Sequence, residues 1–164
     1  MISNMNCSYS QKKPTMKNST NLHYSNLDST KLKLSHEEWK EILPSHVYEI
    51  AINKGTERAF TGKYWDFYEK GKYACAACGN MLFASDAKFE SSCGWPSFFE
   101  PFTENSVKYE EDKTYGMNRV EVLCGRCDAH LGHIFDDGPP PTYKRYCINS
   151  GVIEHKNNKD EMEK

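Results

Sequence analysis

Arg119-Val120-Glu121-Val122-Leu123-Cys124-Gly125-Arg126-Cys127 is the stretch that decides the fold. Its first four residues alternate polar and apolar, the period of a half-buried β-strand. The strand then runs into two cysteines with two residues between them. Lys72-Tyr73-Ala74 leads in the same way into Cys75-Ala76-Ala77-Cys78. Two such pairs supply four thiolates, the complement that tetrahedral zinc takes in a closed structural site. Gly79 just after the first pair and Gly125 inside the second offer the backbone freedom for tight turns. The pairs stand about 45 residues apart, against roughly 15–20 in compact zinc modules, so the ion is expected to tie a larger fold together.

Two competing readings use the same residues. Cys124, Cys127, His130 and His133 recur every third residue and form a ligand set of their own. That set strands Cys75 and Cys78, and it crowds four ligands onto ten residues. Either pair also reads as a C-x-x-C redox motif. Two pairs, each at the end of a strand, favour metal.

Bulk composition narrows the classes. The chain has 164 residues, with 21 basic and 23 acidic, for a net charge of −2. That length suits one domain, or one domain with a tail. The charge creates no general pull toward nucleic acid or an anionic membrane. No apolar run approaches eighteen residues, so no membrane span is expected, and no hydrophobic leader core stands at the N-terminus. Seven cysteines, an odd number with C-x-x-C pairing, read as metal and redox use in a reducing compartment rather than a secreted disulfide framework. A cytoplasmic location follows.

Residues 1–34 are rich in Ser, Asn and Lys, with Asp28 the only acid. They show no apolar period and are expected to be a disordered tail carrying Cys7 as a free thiol. An acid-poor, Ser-rich N-terminus also suits a mitochondrial or other organelle transit segment, though this one has no arginine. Residues 156–164 form a charged C-terminal tail. Between them, Ser35-His36-Glu37-Glu38 is a capping box ahead of Trp39, Ile42 and Leu43, and Pro44 stops that helix. Ser45 is expected to cap a second short helix carrying Val47, Ile50 and Ala51. Beyond the Thr61-Gly62 turn the pattern becomes short, aromatic-rich strands. The expected architecture is mainly β with short helices at its front end.

Arg145-Tyr146-Cys147-Ile148-Asn149 again alternates. On a strand, Arg145, Cys147 and Asn149 share one face while Tyr146 and Ile148 enter the core. A cysteine between a guanidinium and an amide is a candidate nucleophile, because a nearby cation favours the thiolate. A buried structural cysteine is the equal alternative on this pattern alone. His130 and His133 supply imidazoles able to donate to an oxygen, or to serve packing only. Cys93-Gly94-Trp95-Pro96 sets a second thiol beside an indole that reads either as a ligand wall or as core. Gly138 to Pro141 is a stiff loop that could fix the approach to Cys147, with Asp136 and Asp137 just before it.

At these residues the chain resembles the methionine sulfoxide reductase B family, over about residues 35–153. The likeness runs through Gly55-Thr56-Glu57, Ala59-Phe60-Thr61-Gly62, Cys93-Gly94-Trp95-Pro96-Ser97-Phe98, Ala129-His130-Leu131-Gly132-His133, Asp137-Gly138-Pro139 and Arg145-Tyr146-Cys147-Ile148-Asn149-Ser150. One departure is Ser91-Ser92 before Cys93, where the family more often has Ser-Gly. The resemblance implies a β-tent of two antiparallel sheets and a catalytic domain over residues 35–155. It implies one structural zinc on Cys75, Cys78, Cys124 and Cys127, in an enzyme that reduces methionine R-sulfoxide in oxidised proteins and so repairs them. Cys147 matches the catalytic cysteine and Cys93 the resolving one. His130, His133, Asn149, Arg145 and Asp137 match residues around the active site, and Trp95 matches the aromatic wall for the substrate methyl group. The implied cycle passes through a Cys147 sulfenic acid and a Cys93–Cys147 disulfide, with thioredoxin as reductant. A monomer with no nucleic-acid or membrane partner is expected.

Overall fold

Helix formation begins where the sequence supplies a cap. In the computed structural model, which describes residues 20–157, Ser35 Oγ accepts from the Glu38 amide. The Glu38 carboxylate accepts from the Ser35 amide at 2.7 Å, closing the expected capping box. Helix α1 (His36–Ile42) buries Trp39 and stops before Pro44, whose ring forces Leu43 into an extended conformation. Helix α2 (Ser45–Ala51) buries Val47, Tyr48, Ile50 and Ala51. Its cap differs from expectation. Ser45 is the first helical residue, and Pro44 holds the cap position with no side-chain bond. The Pro44 carbonyl accepts from both Val47 and Tyr48, so the turn is started by a backbone acceptor.

Among the described residues nine strands follow, all paired antiparallel in two sheets. Strands β1 (Lys72–Cys75), β2 (Met81–Ala84) and β9 (Ile153–Lys156) form the smaller, in the order β2-β1-β9. The larger contains β3 (Lys88–Phe89), β4 (Ser97–Phe98), β5 (Val107–Asp112), β6 (Arg119–Cys124), β7 (His130–Phe135) and β8 (Arg145–Ile148). Its order is β3-β4-β8-β7-β6-β5. This is the mainly β architecture, with two antiparallel sheets behind short helices, that the sequence led us to expect. An aromatic core joins the sheets. Phe83 stacks on Phe98 at 4.3 Å between centroids, and the Tyr73 ring meets Phe98 edge-on at 5.1 Å. All three are fully buried. Each such ring stabilises the fold by about 1.5–3 kcal/mol through burial alone.

The N-terminal segment departs from its expected behaviour. Cys7 and residues 1–19 lie outside the described residues, but residues 20–34 are seated on both cysteine turns. Asn21 Nδ2 donates to the Ala77 carbonyl, the Ser25 amide to the Cys78 carbonyl and Asn26 Nδ2 to the Gly79 carbonyl, all within 2.9 Å. The second turn answers through Arg126. Its guanidinium donates to the carbonyls of His23, Thr30 and Cys78 and to the Asp28 carboxylate. Composition failed here because the segment is held by polar groups that satisfy the turn backbones, with little apolar burial of its own. At the other end β9 continues to Lys156, one residue beyond the expected boundary.

Candidate active site

Register across the larger sheet assembles the site. Glu121 of β6 stands opposite His133 of β7, His133 opposite Cys147 of β8, and Cys147 opposite Ser97 of β4. Directly opposed residues share a face, so one row carries a carboxylate, an imidazole, a thiol and a hydroxyl. One step along, Phe135 stands opposite Arg145. Gly132 sits beside this row because a Cβ there would lie 1.9 Å from the Cys147 carbonyl oxygen.

Cys93 comes to this row from the loop between β3 and β4. Its sulfur lies 3.7 Å from that of Cys147 and 3.4 Å from Ser97 Oγ. The loop is pinned by Phe60, whose amide donates to the Gly94 carbonyl, and by Trp95 Nε1, which donates to the Glu57 carbonyl. Glu57 ties the far side. Its carboxylate accepts from the Ser150 and Gly151 amides, and its own amide donates to Asn149 Oδ1. Asn149 is buried and donates to the Leu131 carbonyl at 3.0 Å.

These residues enclose a cavity of about 110 Å³ lined by Thr56, Trp95, Arg119, Gly132, His133, Phe135, Cys147 and Asn149. Drug-sized ligands need about 300–1,000 Å³, so this space admits the end of one side chain. A larger cavity of about 610 Å³ lies under residues 21–24, walled by Leu43, Val47 and Tyr64, and no cysteine lines it. Of these two cavities among the described residues, the smaller is lined by a thiol, that of Cys147.

The two sulfurs share charge unequally. A hydrogen bond from Cys147 draws the Cys93 thiol down to about 4. The same contact and burial push Cys147 up, while Arg145 pulls it the other way. The negative charge of this pair therefore rests on Cys93, with Cys147 holding the proton between them. Arg145 lies over the Phe135 ring at 4.4 Å, and its fork is gripped by Asp137 at 2.8 and 3.0 Å. Asp137 itself is exposed and reaches the site only through that guanidinium.

The two histidines separate. His133 lines the cavity and bonds Asp112 at 2.7 Å. His130 is 3% exposed, is not among the lining residues, and bonds Glu121 at 2.7 Å. Burial lowers its pKa, against the pull of Glu121. Thr56, Arg119, Phe135 and Asp112 were not singled out from sequence as site residues. Phe135, two residues after His133, and Arg119, two before Glu121, carried a usable signal: alternate strand positions share a face. Asp112 offered none, because its approach depends on the β5–β6 pairing.

The four remaining described cysteines cluster at the sheet ends. Cys75 ends β1 and Cys124 ends β6, and each is followed by the same turn. Gly79 donates its amide to the Cys75 carbonyl as Asp128 does to that of Cys124. Both take positive φ, +81° for Gly79 and +62° for Asp128. Gly125 does not; it is small because a Cβ would lie 2.0 Å from the Asn105 carbonyl oxygen. The four sulfurs all lie within 4.8 Å of one another, with Cys75–Cys127 at 3.8 Å and Cys78–Cys124 at 3.7 Å. A tetrahedral ion with bonds of about 2.3 Å needs sulfur–sulfur edges of about 3.8 Å. The residues therefore fit one metal ion. Their contacts push Cys75 well up and Cys124 well down, since sulfurs so close cannot all carry charge without a cation. His130 and His133 turn to carboxylates instead, which removes the competing ligand set.

Comparison with known proteins agrees with this geometry. The SelR domain family model matches residues 43–157. The chain is 54% identical over 122 residues to "Peptide methionine sulfoxide reductase MsrB" of Methanosarcina barkeri, covering 74% of this chain and 86% of that one. The protein of the same name from Herminiimonas arsenicoxydans is 53% identical over 71% of this chain and 85% of its own. That from Agrobacterium fabrum is 53% identical over 76% and 93%. Among solved structures, the Mis18 "Yippee-like" domain aligns with a TM-score of 0.42 at 17% identity, over 54% of this chain and 97% of that one, a likeness that carries no inference. Among the described residues no helix is long and apolar enough to cross a membrane.

Proposed function

This chain belongs to the SelR family of peptide methionine sulfoxide reductases, and from that premise we propose that it reduces methionine R-sulfoxide in proteins with Cys147 as the attacking thiol. The observation that carries the reading is the Cys93–Cys147 pair, 3.7 Å apart at the wall of a cavity sized for one side-chain tip. Cys147 passes its proton to Cys93, and the thiolate so formed attacks the sulfoxide sulfur while His133 gives a proton to the oxygen. The sulfur–sulfur bond so formed then breaks as the hydroxyl passes from the former sulfoxide sulfur to Cys147, releasing methionine and leaving Cys147 as sulfenic acid. Cys93 displaces it as water and a disulfide forms. A dithiol protein, thioredoxin, restores both thiols by exchange. Trp95 and Phe135 wall the space for the substrate methyl group. Arg145, held by Asp137, favours negative charge at Cys147. Asn149 and His130 hold the backbone and β6 from which the site is built.

Zinc is the ion that four thiolates with these edges suit, one per chain on Cys75, Cys78, Cys124 and Cys127. It would supply no step of the reaction; those residues would hold it as a link between the two sheets. We draw the catalytic domain at 35–155, extended by the strap at 20–34 and the end of β9, with a charged tail beyond. A monomer in the cytoplasm, free of nucleic acid, completes the reading. The test separates epimers. With dithiothreitol as reductant, the R-sulfoxide of a methionine derivative should be reduced and the S-sulfoxide left. Reduction of neither epimer, or of the S form alone, rejects the proposal.

A further inference from the structure

Asp112 is the last residue of β5, and it stands opposite Arg119, the first of β6. Its carboxylate is fully engaged. Oδ1 accepts from the Thr114 amide at 2.9 Å and the Thr114 hydroxyl at 2.6 Å. Oδ2 accepts from Arg119 Nη2 at 2.9 Å and meets His133 Nε2 at 2.7 Å. Asp112 and His133 are both largely buried, 12% and 13% exposed at the side chain. Four donors make Asp112 a poor proton acceptor. Its acidity is increased first by Thr114 and then by His133 and Arg119.

An ionised carboxylate can only accept a hydrogen bond, so the proton between these groups belongs to Nε2 of His133. Nδ1 is then the ring nitrogen left for chemistry in the cavity that His133 lines. We infer that Asp112 is a positioning residue for sulfoxide reduction: it fixes His133 with its proton on Nε2 and so reserves Nδ1 for the substrate oxygen. The inference rests on His133 acting as the proton donor. In the charged ring Nδ1–H is the donor. Once that proton has gone to the sulfoxide oxygen, the neutral Nε2–H form remains on the same hydrogen bond, and no ring flip is needed. The other charged or titratable groups facing His133 are Arg119 and Glu121 on β6, His130 on β7, and Cys147 and Arg145 on β8. Glu121 is already committed to His130 and Lys54, so Asp112 is the carboxylate that acts on His133.

The experiment uses the full zinc-loaded chain, ¹⁵N-labelled, as wild type and Asp112→Asn. Long-range proton–nitrogen spectra read the tautomer of His133, assigned by its loss in His133→Gln. Wild-type His133 should carry its proton on Nε2 when neutral. In Asp112→Asn, whose amide can donate as well as accept, the Nδ1–H form should appear. With dithiothreitol, kcat for the R-sulfoxide should fall about 10–100-fold, the loss typical of removing such an orienting partner. KM should move less than about threefold. A kcat within about twofold of wild type overturns the inference, as does an activity loss with the tautomer unchanged. Should Asp112→Asn fail to fold, the wild type alone decides: a neutral His133 protonated on Nδ1 sinks the idea. Failure of wild type to reduce the R-sulfoxide would instead sink the reading on which the inference rests, whatever the tautomer shows.

Discussion

Three pairs of sulfurs in this molecule stand at nearly the same distance, and they are built for opposite ends. Cys75–Cys127 and Cys78–Cys124 are 3.8 and 3.7 Å apart, and Cys93–Cys147 is also 3.7 Å apart. Distance therefore does not separate a metal ligand from a redox thiol. Surroundings do. The first two pairs share one centre, and all four of those cysteines are buried. The third pair is half-exposed, stands alone, and has a guanidinium at one side and a cavity at the other. Four thiolates in a dry interior demand a cation, whereas in the other pair Cys147 lines a cavity and Cys93 stands behind it.

The largest effect should come from the buried set. Cys124→Ser removes one of four ligands, and structural zinc sites contribute on the order of 10 kcal/mol, comparable to the whole stability of a domain. The variant should lose its metal by elemental analysis and its cooperative unfolding transition by circular dichroism. A folded, metal-free, active Cys124→Ser protein would break the comparison. Next comes Cys147→Ser, which should abolish turnover with every reductant, because a hydroxyl near neutral pH is a poor nucleophile. Its metal content and melting temperature should match wild type. Near-normal turnover would move the nucleophile elsewhere.

Cys93→Ser should split by reductant. Dithiothreitol can attack the Cys147 sulfenic acid directly, so much activity should remain with it. Thioredoxin requires a disulfide, and its support should fall steeply. Mass spectrometry of non-reduced wild type after one turnover should find the Cys93–Cys147 linked peptide. Equal losses with both reductants would make Cys93 a packing residue. The smallest effect returns to the metal turns. Arg126 is 5% exposed and bonds three carbonyls and Asp28. Arg126→Met should cost about 2–4 kcal/mol in denaturant titration, since the strap and turn carbonyls lose their donor. Activity under native conditions should change little. An unchanged unfolding midpoint would show that the strap contributes nothing to the turns.

Much of this was legible from local pattern. The paired C-x-x-C turns announced the four-cysteine cluster because residues three apart in a turn can face one point. The alternation that sets Cys147 and Asn149 two apart announced two residues of the cavity wall, because strand neighbours two apart point the same way. The capping box placed the start of α1 to the residue, while the helix ends at Ile42, one residue before the expected last helical position Leu43. The helix after Pro44 was placed correctly but its cap was not, since a backbone acceptor leaves no side-chain signature. Residues 20–34 were misjudged by composition, although Asp28 and Arg126 were visible as an isolated acid and a basic residue inside a metal turn.

The sequence by itself determined the mainly β fold class and which four cysteines cluster. Each follows from spacing of a few residues, which backbone geometry translates directly into direction. Only the tertiary structure decided that His133 and not His130 faces the cavity, that Asp112 grips it, and that residues 20–34 bind the metal turns. Those outcomes depend on which residue of one strand stands opposite which residue of another. Register is settled by the whole sheet packing at once, and a shift of one position would turn every one of these side chains to the opposite face.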